Sequence, residues 1–312
     1  MRVLVFGATG WLGHNIALAF AAAGHEVTAC SRGKKRTYAA AVAGMEFLQA
    51  DKDVPSELER LFAARHFDVV VDSVPQENCL RGIAKHARGL KQYIHCSSTG
   101  GYAPLPFVPC DETAYYGGFA EGWMLKRVLD NLALELCHEQ GFPATVLRPC
   151  YISGPGMLPL DNLGGRREDF IADLIAETEL DVVNDGQALL QPVHVHDLAH
   201  AFLLAAERPL RSVGQIYNIC LDRAVTLNRY LEITAAALGV KPRLKHLPLE
   251  EMLATHAGHI HEVGLRFMAL HMCFDITKAK EQLGYQPAHS VEGTIEENAR
   301  WAAQQLHQDG RA

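Results

Sequence analysis

The sequence predicts an α/β protein, a doubly wound parallel sheet with a smaller C-terminal lobe, on three observations. The chain opens with a short apolar, β-branched run, Val3 to Phe6, that ends at a glycine and leads straight into a helical pattern. Short apolar strands then alternate with helices as far as Arg148. From Met157 to Leu180 that rhythm stops and the Pro, Gly and charged content rises. Such alternation implies right-handed βαβ crossovers, with ligands beyond the carboxyl ends of the strands. Residues 1–156 are expected to form the α/β domain and 157–312 a mixed lobe, with 193–220 returning to the first.

Gly7, Gly10 and Gly13 stand between the first strand and a helix, Trp11 to Gly24, in which Leu12, Ile16, Ala19 and Phe20 recur at helical spacing. Glycines there permit a tight turn, close approach of the backbone to an anion and close packing of helix on sheet. The free N–H groups at the helix start would face a dinucleotide's pyrophosphate. The second strand, Glu26 to Cys30, runs into Ser31-Arg32-Gly33-Lys34-Lys35-Arg36. No acid ends this strand and four cations follow it, which suits the extra phosphate of NADP better than the ribose hydroxyls of NAD. NADP is therefore the expected cofactor, with NAD the alternative and Arg32 and Lys35 among its ligands.

A third strand, Met45 to Leu48, precedes Asp51. Pro55 marks the first turn of the helix Ser56 to Arg65 and holds Val54 extended, so Asp51 lies too early to cap it. Strand Asp68 to Asp72, the segment Ser73-Val74-Pro75, helix Glu77 to Gly89 and strand Gln92 to Cys96 repeat the unit. That strand ends in Ser97-Ser98-Thr99-Gly100-Gly101-Tyr102, where a serine at a strand tip is placed for chemistry. A long helix from about Gly118 to Gln140 and a sixth strand, Ala144 to Arg148, follow. Further on, Asp197 is expected to cap a helix Ala199 to Glu207, Gly214 to Cys220 reads as a strand, Thr226 caps Leu227 to Leu238, and Val291 to His307 closes the chain.

Several of these spacings resemble one family. They are the N-terminal GxxGxxG, Ser98 four residues before Tyr102, the lead-in PCDET at 109–113, and Arg148-Pro149 running to Gly154-Pro155-Gly156 as R-P-x-x-x-x-G-P-G. Val193 to Leu198 and the tail Asp275 to Pro287 complete the likeness. The chain resembles the extended branch of the short-chain dehydrogenase/reductase superfamily, the NAD-dependent epimerase/dehydratase family, whose sheet is of the Rossmann type. The resemblance implies that Gly7, Gly10, Trp11, Leu12 and Gly13 hold the pyrophosphate and that Asp51 lies near the adenine. It places Ser73 and Val74 along the ribose and pyrophosphate, and Cys96, Pro149 and Ile152 by the nicotinamide.

It also implies that Ser98 bonds the reacting oxygen and that Lys126 grips the nicotinamide ribose. Here the chain departs from the family, because the tyrosine of Tyr-x-x-x-Lys is Gly122. A glycine exchanges no proton, so Tyr102 and Tyr116, with Tyr115 and Glu121 behind them, are the candidate replacements. Asp161, Asn162, Arg166 and Arg167 are the expected substrate-facing residues of the lobe.

Composition narrows the function classes. The 312 residues are 48% hydrophobic and carry a formal net charge of -7, which suits a packed protein rather than one built to neutralise a nucleic-acid backbone. No apolar run approaches a bilayer span and no signal peptide opens the chain, so a cytoplasmic protein without membrane contact is expected. Eight cysteines without a CxxC pair read as reduced thiols. His194 and His196, and the run His256, His259 and His261, fit no common zinc spacing, so no metal is expected. Three classes remain: an enzyme acting on a nucleotide sugar or a related small carbonyl or hydroxyl substrate; an NADP-binding regulator without turnover; and an RNA-associated member like the chloroplast stem-loop-binding proteins, against which the acidic balance counts. DNA is not an expected partner, and the resemblance implies a homodimer through the long helix before Gln140.

Overall fold

The computed structural model describes residues 1–34, 37–117 and 121–308, the side chains of 121–123 and 307–308 excepted. Six strands in chain order, β1 (Arg2–Phe6), β2 (Glu26–Ser31), β3 (Glu46–Gln49), β4 (Val69–Asp72), β5 (Gln92–Cys96) and β6 (Ala144–Pro149), join Ile216–Ile219 in a seven-stranded sheet. Its order is Ile216–Ile219, β6, β5, β4, β1, β2, β3, and every pairing is parallel. The order reverses between β1 and β4, where a crevice opens at the strand tips.

The apolar run at the start is buried on both faces, as a central parallel strand must be. Val3 and Val5 point into a core with Ile16 and Phe20 of helix α1 (Trp11–Ala22) and Phe202 of the helix Val195–Glu207. Leu4 and Phe6 point into the opposite core, with side chains of α2 (Pro55–Ala64), α3 (Glu77–His86) and α4 (Glu121–Gln140). Burial of each such side chain contributes roughly 1.5–3 kcal/mol. Pro55 stands at the first turn of α2, with Val54 extended before it.

The lobe has a core of its own, built from Phe170, Leu174, Val182, Leu231, Ile295 and their neighbours. Its strands Glu179–Val183 and Arg243–Leu247 pair in parallel, and the helix Val291–Gln308 packs on Leu227–Ala237, which Thr226 caps by accepting the Arg229 N–H at 3.1 Å. All eight cysteines are free. Among the described residues, no helix is long and apolar enough to cross a membrane.

One cap differs from expectation. The short strand Pro192–His194 pairs with Tyr151–Ser153 and ends early, so the helix begins at Val195 and its N-cap is His194. His194 Nδ1 accepts the His196 N–H at 3.2 Å. Asp197, two residues into the helix, accepts instead from the N–H groups of Ala288 and His289 at 2.9 and 3.2 Å, tying the segment before the last helix to this one.

A capping imidazole must be neutral at Nδ1. Burial first, then the neighbouring His289 and His196, push the His194 ring down from 6.5 to about 3. The unfolded chain therefore takes up this proton first as the pH falls, so the ring's contribution is full above about 6.5 and is lost progressively toward 3. His194→Asn keeps a capping acceptor without a titration. Urea unfolding at pH 7 and about pH 4.5 should show a steeper loss of stability in the wild type than in His194→Asn, and equal slopes would contradict the assignment.

Candidate functional site

β1 ends at Phe6 and the chain turns through Gly7 at a φ of +78°. A Cβ on Gly13 would lie 2.1 Å from the Gly7 carbonyl oxygen, and one on Gly7 would lie 2.5 Å from Ser73 Oγ. Only glycine at both places lets α1 start this close to the strand. Gly10 is the N-cap and offers no side chain, so the first N–H groups of α1 have no intrahelical acceptor and carry the positive end of the helix dipole.

The side chains of the next two residues face elsewhere. Trp11 Nε1 donates to the Pro155 carbonyl at 2.7 Å, and Leu12 packs into the core, leaving their backbone N–H groups for an anion. The Ser73 hydroxyl is spent on the Phe6 carbonyl at 2.9 Å and closes the floor of the turn.

A cleft of about 320 Å³ opens from the turn between Gly7, Thr9 and Gly10 on one side and Ser31, Arg32, Gly33 and Lys34 on the other. Arg32 and Lys34 are exposed and make no ion pair among the described residues. Lys35 and Arg36 lie outside those residues. Val74 lines the far wall, but Asp51 does not: its carboxylate accepts the Asp53 N–H at 3.1 Å, and Ala50, Lys52 and Asp53 take the wall instead. Lys52 was not legible as a site residue. Its ammonium bridges the buried Asp72 carboxylate and the Val74 carbonyl. Glycines that a Cβ would fill, bare helix N–H groups and exposed cations after β2 together fit a dinucleotide.

Beyond the switch point, the tips of β5 and β6 bring Ser98, Thr99 and Gly100 opposite Cys150 and Tyr151 around a cavity of about 180 Å³. Ser98 Oγ accepts the Gly100 N–H at 3.1 Å, so its own proton is not spent on that bond. Thr99 Oγ1 donates to the Pro149 carbonyl at 3.3 Å. Lys126 is half-buried on α4, where its charge partly offsets the burial that pushes the Cys96 thiol at the end of β5 up to about 12. The side chain of Glu121, one of the candidate replacements, lies outside those described.

The tyrosines require a correction. Neither Tyr102 nor Tyr116 lines the cavity, since both are buried behind it around Arg148. Arg148 donates through Nη1 to the Tyr102 hydroxyl at 2.5 Å and through Nε to Asp130 at 2.9 Å, and its guanidinium lies 3.6 Å from the Tyr116 ring centre. The Tyr116 hydroxyl donates to the Ser98 carbonyl at 2.5 Å, and Ser97 Oγ donates to Asp130 at 3.0 Å. His95 Nε2 lies 3.2 Å from the other Asp130 oxygen. Burial pushes both phenols above their usual 10, away from the range of a working acid or base. Tyr115 points outward, its hydroxyl accepting from Arg127 at 2.7 Å. Asp130, which burial alone would raise, is held below the usual carboxylate range by His95 and Arg148. The signal for it was an acid sharing the apolar face of α4 with Leu129 and Ala133.

Residues 3–85 and 76–220 match the model of the NAD dependent epimerase/dehydratase family. The chain belongs to this family. Among the relatives of this epimerase/dehydratase-family protein is the chloroplast stem-loop binding protein of 41 kDa b of Arabidopsis thaliana, 29% identical over 310 residues, with 94% of this chain and 77% of that protein covered. A 4-hydroxy-2-methyl-3-oxo-4-farnesyl-3,4-dihydroquinoline-1-oxide ketoreductase of Stigmatella aurantiaca is 25% identical over 283 residues, covering 84% and 80%. The fold is that of UDP-glucose 4-epimerase from Thermotoga maritima, solved with UDP-glucose, at a TM-score of 0.76, 22% identity and coverage of 98% and 100%. It is also that of dTDP-glucose 4,6-dehydratase from Bacillus anthracis, solved with NAD, at a TM-score of 0.78, 16% identity and 98% coverage of each chain.

The lobe of this epimerase/dehydratase-family chain does not present its four expected residues to a substrate. Asp161 is buried and accepts the N–H groups of Leu163, Gly165 and Arg167. Asn162 donates to the Asp181 carbonyl at 2.9 Å. Arg166 donates to the carbonyls of Leu158 and Ile152, and Arg167 faces Asp161, Asp169 and Asp173. Ile152 thus serves the lobe through its carbonyl.

The histidines also fold in a way their spacing did not show. His289 joins His194 and His196, with one nitrogen of each ring within 4.8 Å of the others. His194 and His289 stack with centroids 3.6 Å apart and planes 13° from parallel, so their in-plane lone pairs do not converge on one ion. Of the second run, His256 pairs with Asp181 at 2.8 Å and His261 caps the helix Glu262–Met268.

A Cβ on Gly101 would lie 2.2 Å from the Tyr116 ring. Gly101→Ala is therefore expected to destabilise the protein by about 1–3 kcal/mol, and by much less in a Tyr116→Ala background, where the ring is gone. Chemical denaturation of the four proteins of that cycle measures the coupling, and additive effects would place the ring elsewhere.

Proposed function

We propose that this chain is a pyridine-nucleotide-dependent oxidoreductase or epimerase that prefers NADP(H) and acts on a hydroxyl or carbonyl carbon held at Ser98. The observation that carries this reading is that the cleft at the glycine turn, with the exposed Arg32 and Lys34, and the cavity at Ser98 both lie at the carboxyl ends of strands of one parallel sheet. When bound there, the dinucleotide supplies or accepts a hydride.

The chain's own residues bind, orient and position. The α1 N–H groups hold the pyrophosphate, Arg32 and Lys34 pair with the 2′-phosphate, and Lys126 fixes the ribose next to the nicotinamide. The Ser98 hydroxyl donates to the reacting oxygen. Tyr116, bonded to the Ser98 carbonyl, positions that serine rather than exchanging a proton. Proton exchange then falls to Ser98 and the water that reaches it through the open cavity.

A second reading, association with RNA, is supported by the name of the Arabidopsis relative. The net charge of -7 counts against it. A gel shift with a stem-loop RNA, repeated at rising salt, decides it: no retardation at low salt removes this reading.

Two measurements test the redox reading. Arg32→Ala should weaken NADP+ binding about tenfold or more while leaving NAD+ affinity within about twofold, because only one of them carries the extra phosphate. Equal titration curves of the wild type with the two dinucleotides would refute the NADP preference. Ser98→Ala should lower kcat by about 10²–10⁴ with dinucleotide affinity unchanged, whereas Tyr116→Phe should retain most of the chemistry and lose stability. A protein that binds the dinucleotide but oxidises no NADPH with any hydroxyl or carbonyl compound would be the regulator, not the enzyme.

A further inference from the structure

We infer that the substrate pocket at Ser98 takes a compact, uncharged and largely apolar carbonyl or alcohol, not a nucleotide sugar. The inference rests on the redox reading above and concerns the pocket that reading leaves open. Apart from the hydroxyls of Ser98, Thr99 and Tyr151, the cavity is walled by the Tyr151 ring, Cys150, Phe267 and Met272. Phe267 and Met272 come from the lobe, 5% and 2% exposed, so the roof over Ser98 is an aromatic ring and a thioether.

A nucleotide sugar brings a diphosphate and several hydroxyls, each needing a cation or a hydrogen-bond partner once it leaves water. Among the described residues none of the cavity's lining is a cation, and the two arginines that follow Gly165 in the lobe are spent. Arg166 is turned onto the carbonyls of Leu158 and Ile152. Arg167 faces three carboxylates, those of Asp161, Asp169 and Asp173. Freeing either would strand buried groups: Asp161 is fully buried.

Of the three hydroxyls in the wall, Thr99 is committed to the Pro149 carbonyl and the buried Tyr151 hydroxyl has no partner, which leaves Ser98 and Tyr151 as the two donors a ligand oxygen can use. The volume agrees. About 180 Å³ lies below the roughly 300 Å³ at which pockets for drug-sized ligands begin. A ligand with a carbonyl or hydroxyl oxygen for Ser98 and Tyr151, and an apolar body against Phe267 and Met272, is the one whose groups are all satisfied here.

The test measures binding rather than turnover. Protein saturated with NADP+, which cannot reduce a ketone, is titrated with acetophenone and cyclohexanone, and separately with UDP-glucose and dTDP-glucose, by saturation-transfer NMR and thermal shift. Saturable binding of a ketone is expected, with no saturable signal from either sugar nucleotide. Met272→Glu should weaken ketone binding at least tenfold. Should that variant fail to fold, Phe267→Ala supplies the second arm by shifting preference from acetophenone toward the bulkier benzophenone.

Saturable binding of a sugar nucleotide without ketone binding would overturn the inference, as would binding of neither class to NADP+-loaded protein. A protein that holds no dinucleotide would refute the redox reading instead. The same ketone titrations without dinucleotide then decide the pocket independently.

Discussion

The contact between Gly13 and the Gly7 carbonyl is the constraint on which the rest of this structure depends. No side chain fits there, because a Cβ at 13 would sit 2.1 Å from that oxygen. Its absence lets α1 start against the tip of β1, with its bare N–H groups over the point where the strand order reverses. The same close approach seats α1 on the helix Val195–Glu207 and so builds the core on that face of the sheet. Anion site and core therefore share one geometric cause.

At the other end of the crevice, a buried polar cluster holds the pocket floor. Arg148, Asp130, Ser97, Tyr102 and Tyr116 lie behind the β5 tip, out of water, and bond one another, with His95 Nε2 3.2 Å from Asp130. In a low-dielectric interior such a network is rigid because breaking any one contact leaves a buried polar group unpaired. The Tyr116 hydroxyl on the Ser98 carbonyl ties it to the pocket. In a family whose catalytic helix usually carries a tyrosine, this chain has a glycine on that helix, and the tyrosine that comes nearest to Ser98 serves its backbone.

The two halves of the strand-tip surface differ in character. The half at the glycine turn carries Arg32, Lys34 and Lys52, while the half at Ser98 is roofed by Phe267 and Met272. The match to the epimerase/dehydratase family over residues 3–85 spans the whole lining of the first half. The second half is built by the lobe, and there the arginines are consumed in holding the lobe's own loop.

Read alone, the sequence determined the alternation of strands and helices, the glycine turn, the cations after β2 and the serine at the β5 tip. Each rests on local chemistry: a short apolar, β-branched run or a helical period, a φ that only glycine adopts freely, or charges adjacent in the chain. What only the tertiary structure decided is where each polar side chain finds its partner. Tyr102 and Tyr116 looked free for catalysis, but Arg148, from a strand some 30–50 residues later, claims the first and stacks on the second. Asp197 looked like a cap until the chain near His289 reached it, 92 residues on. Lys52 and the inward turn of Arg166 and Arg167 left no local trace, and Asp130 left only an acid on the apolar face of its helix. A charge or hydroxyl is paired by whatever folding brings within about 3 Å of it, and a sequence read in order does not contain that distance.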